Sequence, residues 1–146
     1  MTSMIVWDVY IMNPEEFKRI TKIGWSNIRK RKIRMLVDTG ASFPLIPMNI
    51  ANELNLTFYD KIPLRGLCDR EILCWRSSAV FAINVEDELR YAITFVFIPI
   101  EDLCDFFKQL REHNIDGILG LSAISSFNVA IDTKTGKPKL LPYLVV

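Results

Sequence analysis

The sequence predicts an all-β chain punctuated by a few short helices, and three observations carry that expectation. Stretches rich in β-branched and aromatic residues end at turn signals, and two long apolar stretches flank the polar Glu86-Asp87-Glu88. Two glycines, Gly117 and Gly120, bracket the short apolar pair Ile118-Leu119, a pattern that implies close backbone approach on both sides.

Taken in order, residues 5–12 read as a first strand that stops at Asn13-Pro14. Residues 17–23 alternate loosely between apolar and polar, so a further strand is expected there, before the break at Gly24-Trp25-Ser26-Asn27. Residues 33–38 form the next strand. Pro47 precedes Ile50, Ala51 and Leu54 at helical spacing, and proline favours the first helical turn, so one short helix follows. Residues 79–85 and 91–98 are expected to pair as a hairpin around Glu86-Asp87-Glu88. Leu103, Phe106, Phe107 and Leu110 mark an amphipathic helix to about His113. Strand 129–131 and a turn at residues 133–136 close the chain.

With 146 residues, 50% hydrophobic and 24% charged, the chain fits a single domain over 1–146 with a real core. A net charge of +1 gives no broad field to attract nucleic acid or an anionic membrane. The basic run Arg29-Lys30-Arg31-Lys32 interleaves with Ile28 and Ile33 and reads as a solvated hairpin or strand edge. No apolar run reaches membrane-spanning length, and no leader pattern opens the chain. Cys68, Cys74 and Cys104 are odd in number and lack metal-site spacing, so no metal is expected and free thiols in a reducing, cytoplasmic setting are.

Chemistry concentrates at Asp38-Thr39-Gly40, the only such triplet in the chain, placed where the apolar Leu36-Val37 meets a turn. A carboxylate at such a place is a candidate acid or base, because burial and backbone N–H groups can tune it. An aspartyl-phosphate enzyme also sets an aspartate at a strand end, but no D-x-D motif accompanies this one. Asp132-Thr133 is the internal rival for a second carboxylate. Lys134 stands where a glycine would be needed, and turn chemistry accounts for the segment.

Leu36-Val37-Asp38-Thr39-Gly40-Ala41-Ser42, followed about eighty residues later by Gly117-Ile118-Leu119-Gly120, resembles the retropepsin-like aspartic proteases. Leu121-Ser122 after the second glycine, where retroviral members carry an arginine, is closer to cellular and microbial single-domain relatives. The resemblance implies a closed, barrel-like acid-protease fold with two or three short helices and one lobe per chain. It also implies a homodimer in which each chain supplies one triplet, with Val129-Ala130-Ile131-Asp132 as the strand after the family's short helix.

On that resemblance Asp38, Thr39 and Gly40 are the catalytic residues, acting on a peptide or protein substrate without a cofactor. Two carboxylates about 3 Å apart cannot both ionise, so the pair shares a proton and serves as base toward water and acid toward the peptide group. Ala41 stands where pepsin-like enzymes carry a hydroxyl that favours the charged carboxylate, so activity is expected to peak at about pH 5 to 6. Ala41, Phe43, Leu67, Cys68, Asp69, Ile118 and Leu119 are the expected substrate-binding residues. A lid hairpin is implied near residues 63–75, whose tip, Leu67-Cys68-Asp69-Arg70-Glu71, is bulky and charged where relatives are glycine-rich. A protease-fold dimer that binds peptide without cutting it is the alternative. The chain ends, residues 4–10 and 139–146, are the implied dimer strands.

Overall fold

The computed structural model describes residues 4–65, 70–100 and 105–141, the side chains of 105–107 excepted. Strand β1 (Val6–Met12) pairs antiparallel with β2 (Arg31–Val37), placing Trp7 opposite Met35 and Val9 opposite Ile33. These four side chains are buried, whereas Asp8, Lys32 and Arg34 alternate onto the outer face. The basic run is thus solvated, and it finds local partners: Arg31 meets Glu53 at 3.2 Å and Lys32 meets Asp8 at 3.8 Å. Lys30 lies over the Trp25 ring, 4.6 Å from its centroid.

The link between these strands departs from expectation. Residues 17–23 are not a strand: α1 (Pro14–Phe17) and α2 (Ile20–Ile23) fold there, followed by a 3-10 turn at Trp25–Asn27. Asn13 caps α1 by accepting the Glu15 amide at 2.9 Å, with Pro14 as the first helical residue. Phe17, Ile20 and Ile23 recur every three residues and cover Met12, Ile28, Val80 and Ala82 on the outer face of the sheet. A capped start and a helical apolar period outweigh a loose alternation.

Two hairpins follow the helix α3 (Met48–Glu53), which begins directly after Pro47. In the first, β3 (Asp60–Leu64) pairs with β4 (Ile72–Val85); in the second, β4 pairs along its length with β5 (Glu88–Pro99). The second turn is tight because Glu86 and Asp87 take φ of 49° and 67°, the mirror-image geometry that suits strand twist. Helix α4 (Asp105–Glu112) leads to β6 (Gly117–Leu119), and α5 (Leu121–Phe127) to a small antiparallel pair, β7 (Val129–Ile131) with β8 (Pro138–Leu140).

Backbone pairing closes on itself. The order β3-β4-β1-β2-β6, with β5 on the other side of β4, leaves β3, β5 and β6 each with an unpaired edge, and the chain around Leu45 joins the last two. The Leu45 amide donates to Ile118 O at 2.9 Å and Ile118 N–H donates back to Leu45 O at 2.9 Å. On the other side Phe97 N–H donates to Pro44 O at 2.9 Å and Ile46 N–H to Phe97 O at 3.1 Å. Closure removes edges that would otherwise template association. Phe81, Ile11, Ile33, Met35, Ile98 and Phe127 are fully buried in the main core. A smaller cluster, with Leu45, Cys74, Phe97 and Ile118, packs on the side that carries Asp38.

Candidate active site

Asp38 follows the last residue of β2, whose parallel partner is β6, with Val37 opposite Leu119. The Asp38 amide continues that pairing by donating to Leu119 O at 3.2 Å, and Ala41 N–H donates to Asp38 O at 3.2 Å to close the turn. Gly40 N–H donates to the Asp38 carboxylate oxygen Oδ1 at 2.9 Å. Added to Gly40, a Cβ would sit 3.1 Å from that same oxygen, so glycine lets the backbone close on the carboxylate.

The turn is then tied to the start of α5. Leu121 N–H donates to Ala41 O at 2.7 Å and Ser122 N–H to Ser42 O at 3.0 Å. Both glycines of the second motif make room for the crossing segment 43–45: a Cβ on Gly120 would fall 2.4 Å from the Phe43 carbonyl carbon, and one on Gly117 would fall 2.4 Å from Leu45 O. Two distant motifs therefore form one rigid unit.

A hollow of about 390 Å³ opens beside the half-buried Asp38 carboxylate. Gly40, Ala41, Ser42 and Phe43 line it from the turn, and the buried Leu45 and Phe97 give it an apolar floor. Leu64 and Arg65, at the end of β3, complete it. Arg65 Nε meets Glu71 Oε2 at 3.0 Å just past the last paired residues of the first hairpin, Leu64 and Ile72, so the charge at the rim is locally balanced.

Of the residues expected to bind substrate, Ala41 and Phe43 line this hollow. Ile118 and Leu119 do not: both are fully buried, Ile118 in the smaller cluster and Leu119 in the main core, because β6 is an inner strand paired with β2 on one side and Leu45 on the other. They support the turn from beneath. Thr39 is exposed on the turn. Leu67, Cys68 and Asp69 lie outside the described residues, between β3 and β4, which pair as the first hairpin. Trp75 sits on the β4 leg, stacked on Phe58 with ring centroids 5.4 Å apart. Sequence reasoning missed Leu45, Leu64, Arg65 and Phe97; none follows a local motif, and the closure at Leu45 that gathers them is a long-range event.

Asp132 is held apart in its own turn. Its Oδ1 accepts the amides of Lys134 at 2.9 Å and Thr135 at 3.4 Å, and Oδ2 meets Lys139 Nζ at 3.4 Å. The Lys134 amide above all holds this carboxyl below its ordinary range, against a smaller opposing effect of burial. Cys74 is a buried free thiol whose desolvation pushes it up to about 11. Among the described residues no three His, Cys, Asp or Glu side chains gather to hold a metal, and no helix is long and apolar enough to cross a membrane.

A family model described as aspartyl protease matches residues 26–123, from before β2 to the first turn of α5. No curated protein matches the chain. Among solved structures, the retroviral protease-like domain of Ddi1 from Leishmania major is similar at a TM-score of 0.50 and 15% identity, covering 97% of each chain. That likeness is one of fold.

Proposed function

The chain belongs to the aspartyl protease family, in its retropepsin-like branch, and on that premise we propose that it is an aspartic endopeptidase active as a homodimer. One observation carries the reading: a single Asp38 carboxylate, oriented by the Gly40 amide at 2.9 Å, stands at a hollow with an apolar floor on a turn locked to the second glycine motif. With one triplet in the whole sequence, the second carboxylate comes from a second copy.

In that dimer the two Asp38 side chains share one proton. The ionised carboxylate takes a proton from the attacking water while the protonated one donates toward the peptide group, and the pair regains its starting state when the amine leaves. Thr39, exposed on the turn, bonds across the two-fold axis. Extended peptide lies along the hollow, held by backbone hydrogen bonds to strand edges with side chains in alternating pockets. On this reading Leu67, Cys68 and Asp69 belong to the substrate-binding residues, and the chain ends join the two copies. The domain spans 1–146, works in the cytoplasm, and uses neither cofactor nor metal, nucleic acid nor membrane.

Purified protein assayed on a peptide library beside Asp38→Asn tests this. Cleavage by the wild type that the substitution abolishes supports the enzyme. Equal peptide binding by both forms with no cleavage by either favours a dimeric peptide-binding module, the reading that the bulky, charged Leu67-Cys68-Asp69-Arg70-Glu71 lid sequence motivates. A monomer at all concentrations in sedimentation would count against catalysis, since Asp38 would then lack its partner.

A further inference from the structure

The hollow beside Asp38 does not end at Phe43. The Phe43 ring contacts two rings of β5 in edge-on geometry, Phe97 at 5.5 Å and Phe95 at 6.4 Å between centroids. Phe97 is buried at the floor of the hollow, Phe95 is 43% exposed, and Ile93, two residues further on the same strand face, is 63% exposed. Strand geometry spaces these side chains about 6.6 Å apart, about 13 Å from first to last, the pitch at which an extended peptide presents every second residue.

The ledge is also stiffened from the neighbouring strand. The Arg76 guanidinium lies 4.8 Å from the Phe95 ring and forks onto Asp60 at 2.9 Å through both Nε and Nη2. Ser78, paired with Phe95, meets the hydroxyl of the half-exposed Tyr59 at 2.7 Å. Scattered exposed apolar residues need no explanation, but a connected row that continues a cleft is the mark of a binding surface.

Resting on the reading of this site as a protease cleft, we propose that Phe95 and Ile93 form an extended recognition ledge for substrate, selecting long unfolded segments with apolar side chains at alternate positions beyond those that fill the hollow. The occupant is an apolar, extended peptide because the surface offered is a row of rings and one isoleucine in line with the Asp38 hollow, and its one cation, Arg76, is already matched by Asp60.

The test compares two peptides that share one cleavage core, a short one and one extended by four residues with apolar side chains at alternate positions. The wild type is expected to favour the long peptide by about tenfold in KM, and Ile93→Asp to erase most of that preference. Phe95→Ser should act in the same direction, with near-UV circular dichroism checking that each variant keeps its packing. The same preference in wild type and both folded variants would overturn the ledge. So would sedimentation showing that Ile93→Asp breaks a dimer, since the occupant would then be a second copy. Binding of the long peptide to the Asp38→Asn protein, with and without Ile93→Asp, separates the two ideas: a tenfold loss of binding without any cleavage by the wild type would leave the ledge standing and sink the enzyme.

Discussion

Gly120 lies so close beneath Phe43 that a methyl group on it would fall 2.4 Å from the Phe43 carbonyl carbon and 2.6 Å from its oxygen. The φ of Gly120 is −84°, which any residue adopts, so space and not backbone conformation demands glycine here. Phe43 cannot simply move. The chain just beyond it, at Leu45, closes the sheet between β5 and β6, and the chain just before it carries Asp38.

Gly120→Ala should therefore destabilise the fold by about 1 to 3 kcal/mol, the range for forcing extra volume into a packed site. Urea unfolding measures it as a lower midpoint at an unchanged slope. An unchanged midpoint would mean that segment 43–45 yields freely, and the rigid coupling of the two motifs would fail with it.

The sheet was legible because its strands announce themselves locally: Trp7, Val9, Ile33 and Met35 alternate inward just as the residue pattern implies. Residues 17–23 misled because Phe17, Ile20 and Ile23 fit a helical period as well as a loose alternation, and the Asn13-Pro14-Glu15 start, a cap followed by a first-turn proline and an acid, was the deciding signal. Asp38-Thr39-Gly40 and the glycine pair marked the turn and its support. The walls of the hollow were not legible. Phe97 is 59 positions from Asp38 in sequence and reaches it only because Leu45 bridges two strands that no local pattern pairs.

Cys74 offers a readout of the smaller core. Burial raises its thiol from 9.0 to about 11, so between those values the folded chain holds a proton that the unfolded chain has lost. Its contribution to stability is fully present below about pH 9 and drains away as pH rises through about 11. Cys74→Ala should flatten the decline of stability with pH over that window relative to wild type, whatever it costs at neutral pH. Native protein should also resist thiol reagents at this residue until it unfolds. Rapid native labelling of Cys74 would contradict its burial.

Asp132 separates turn chemistry from catalysis. Its folded carboxyl lies below the ordinary 3.8, chiefly through the Lys134 amide, so the stability it lends is present above that value and lost as pH falls through the folded one. Asp132→Asn keeps an oxygen for the Lys134 and Thr135 amides but cannot titrate. We expect melting temperature to change little near neutral pH, to fall less steeply on acidification than in wild type, and peptide cleavage to persist. Loss of cleavage with the fold intact would instead make Asp132 the partner of Asp38 within one chain.

The last prediction concerns Ala41, which lines the hollow and donates its amide to Asp38 O at 3.2 Å. Its methyl group offers the Asp38 carboxylate nothing to bond. In Ala41→Ser a hydroxyl enters beside the turn, and a hydrogen bond from it favours a charged carboxylate over a protonated one. The sign follows: the ionised form needed to activate water persists to lower pH, so the acid limb of activity moves down. The wild type is expected to peak at about pH 5 to 6, and profiles of kcat/KM for both proteins should show the variant displaced toward acid with a similar alkaline limb. A displacement toward alkali, or a wild-type peak already at about pH 2, would show that something other than the missing hydroxyl sets the working pH of this pair.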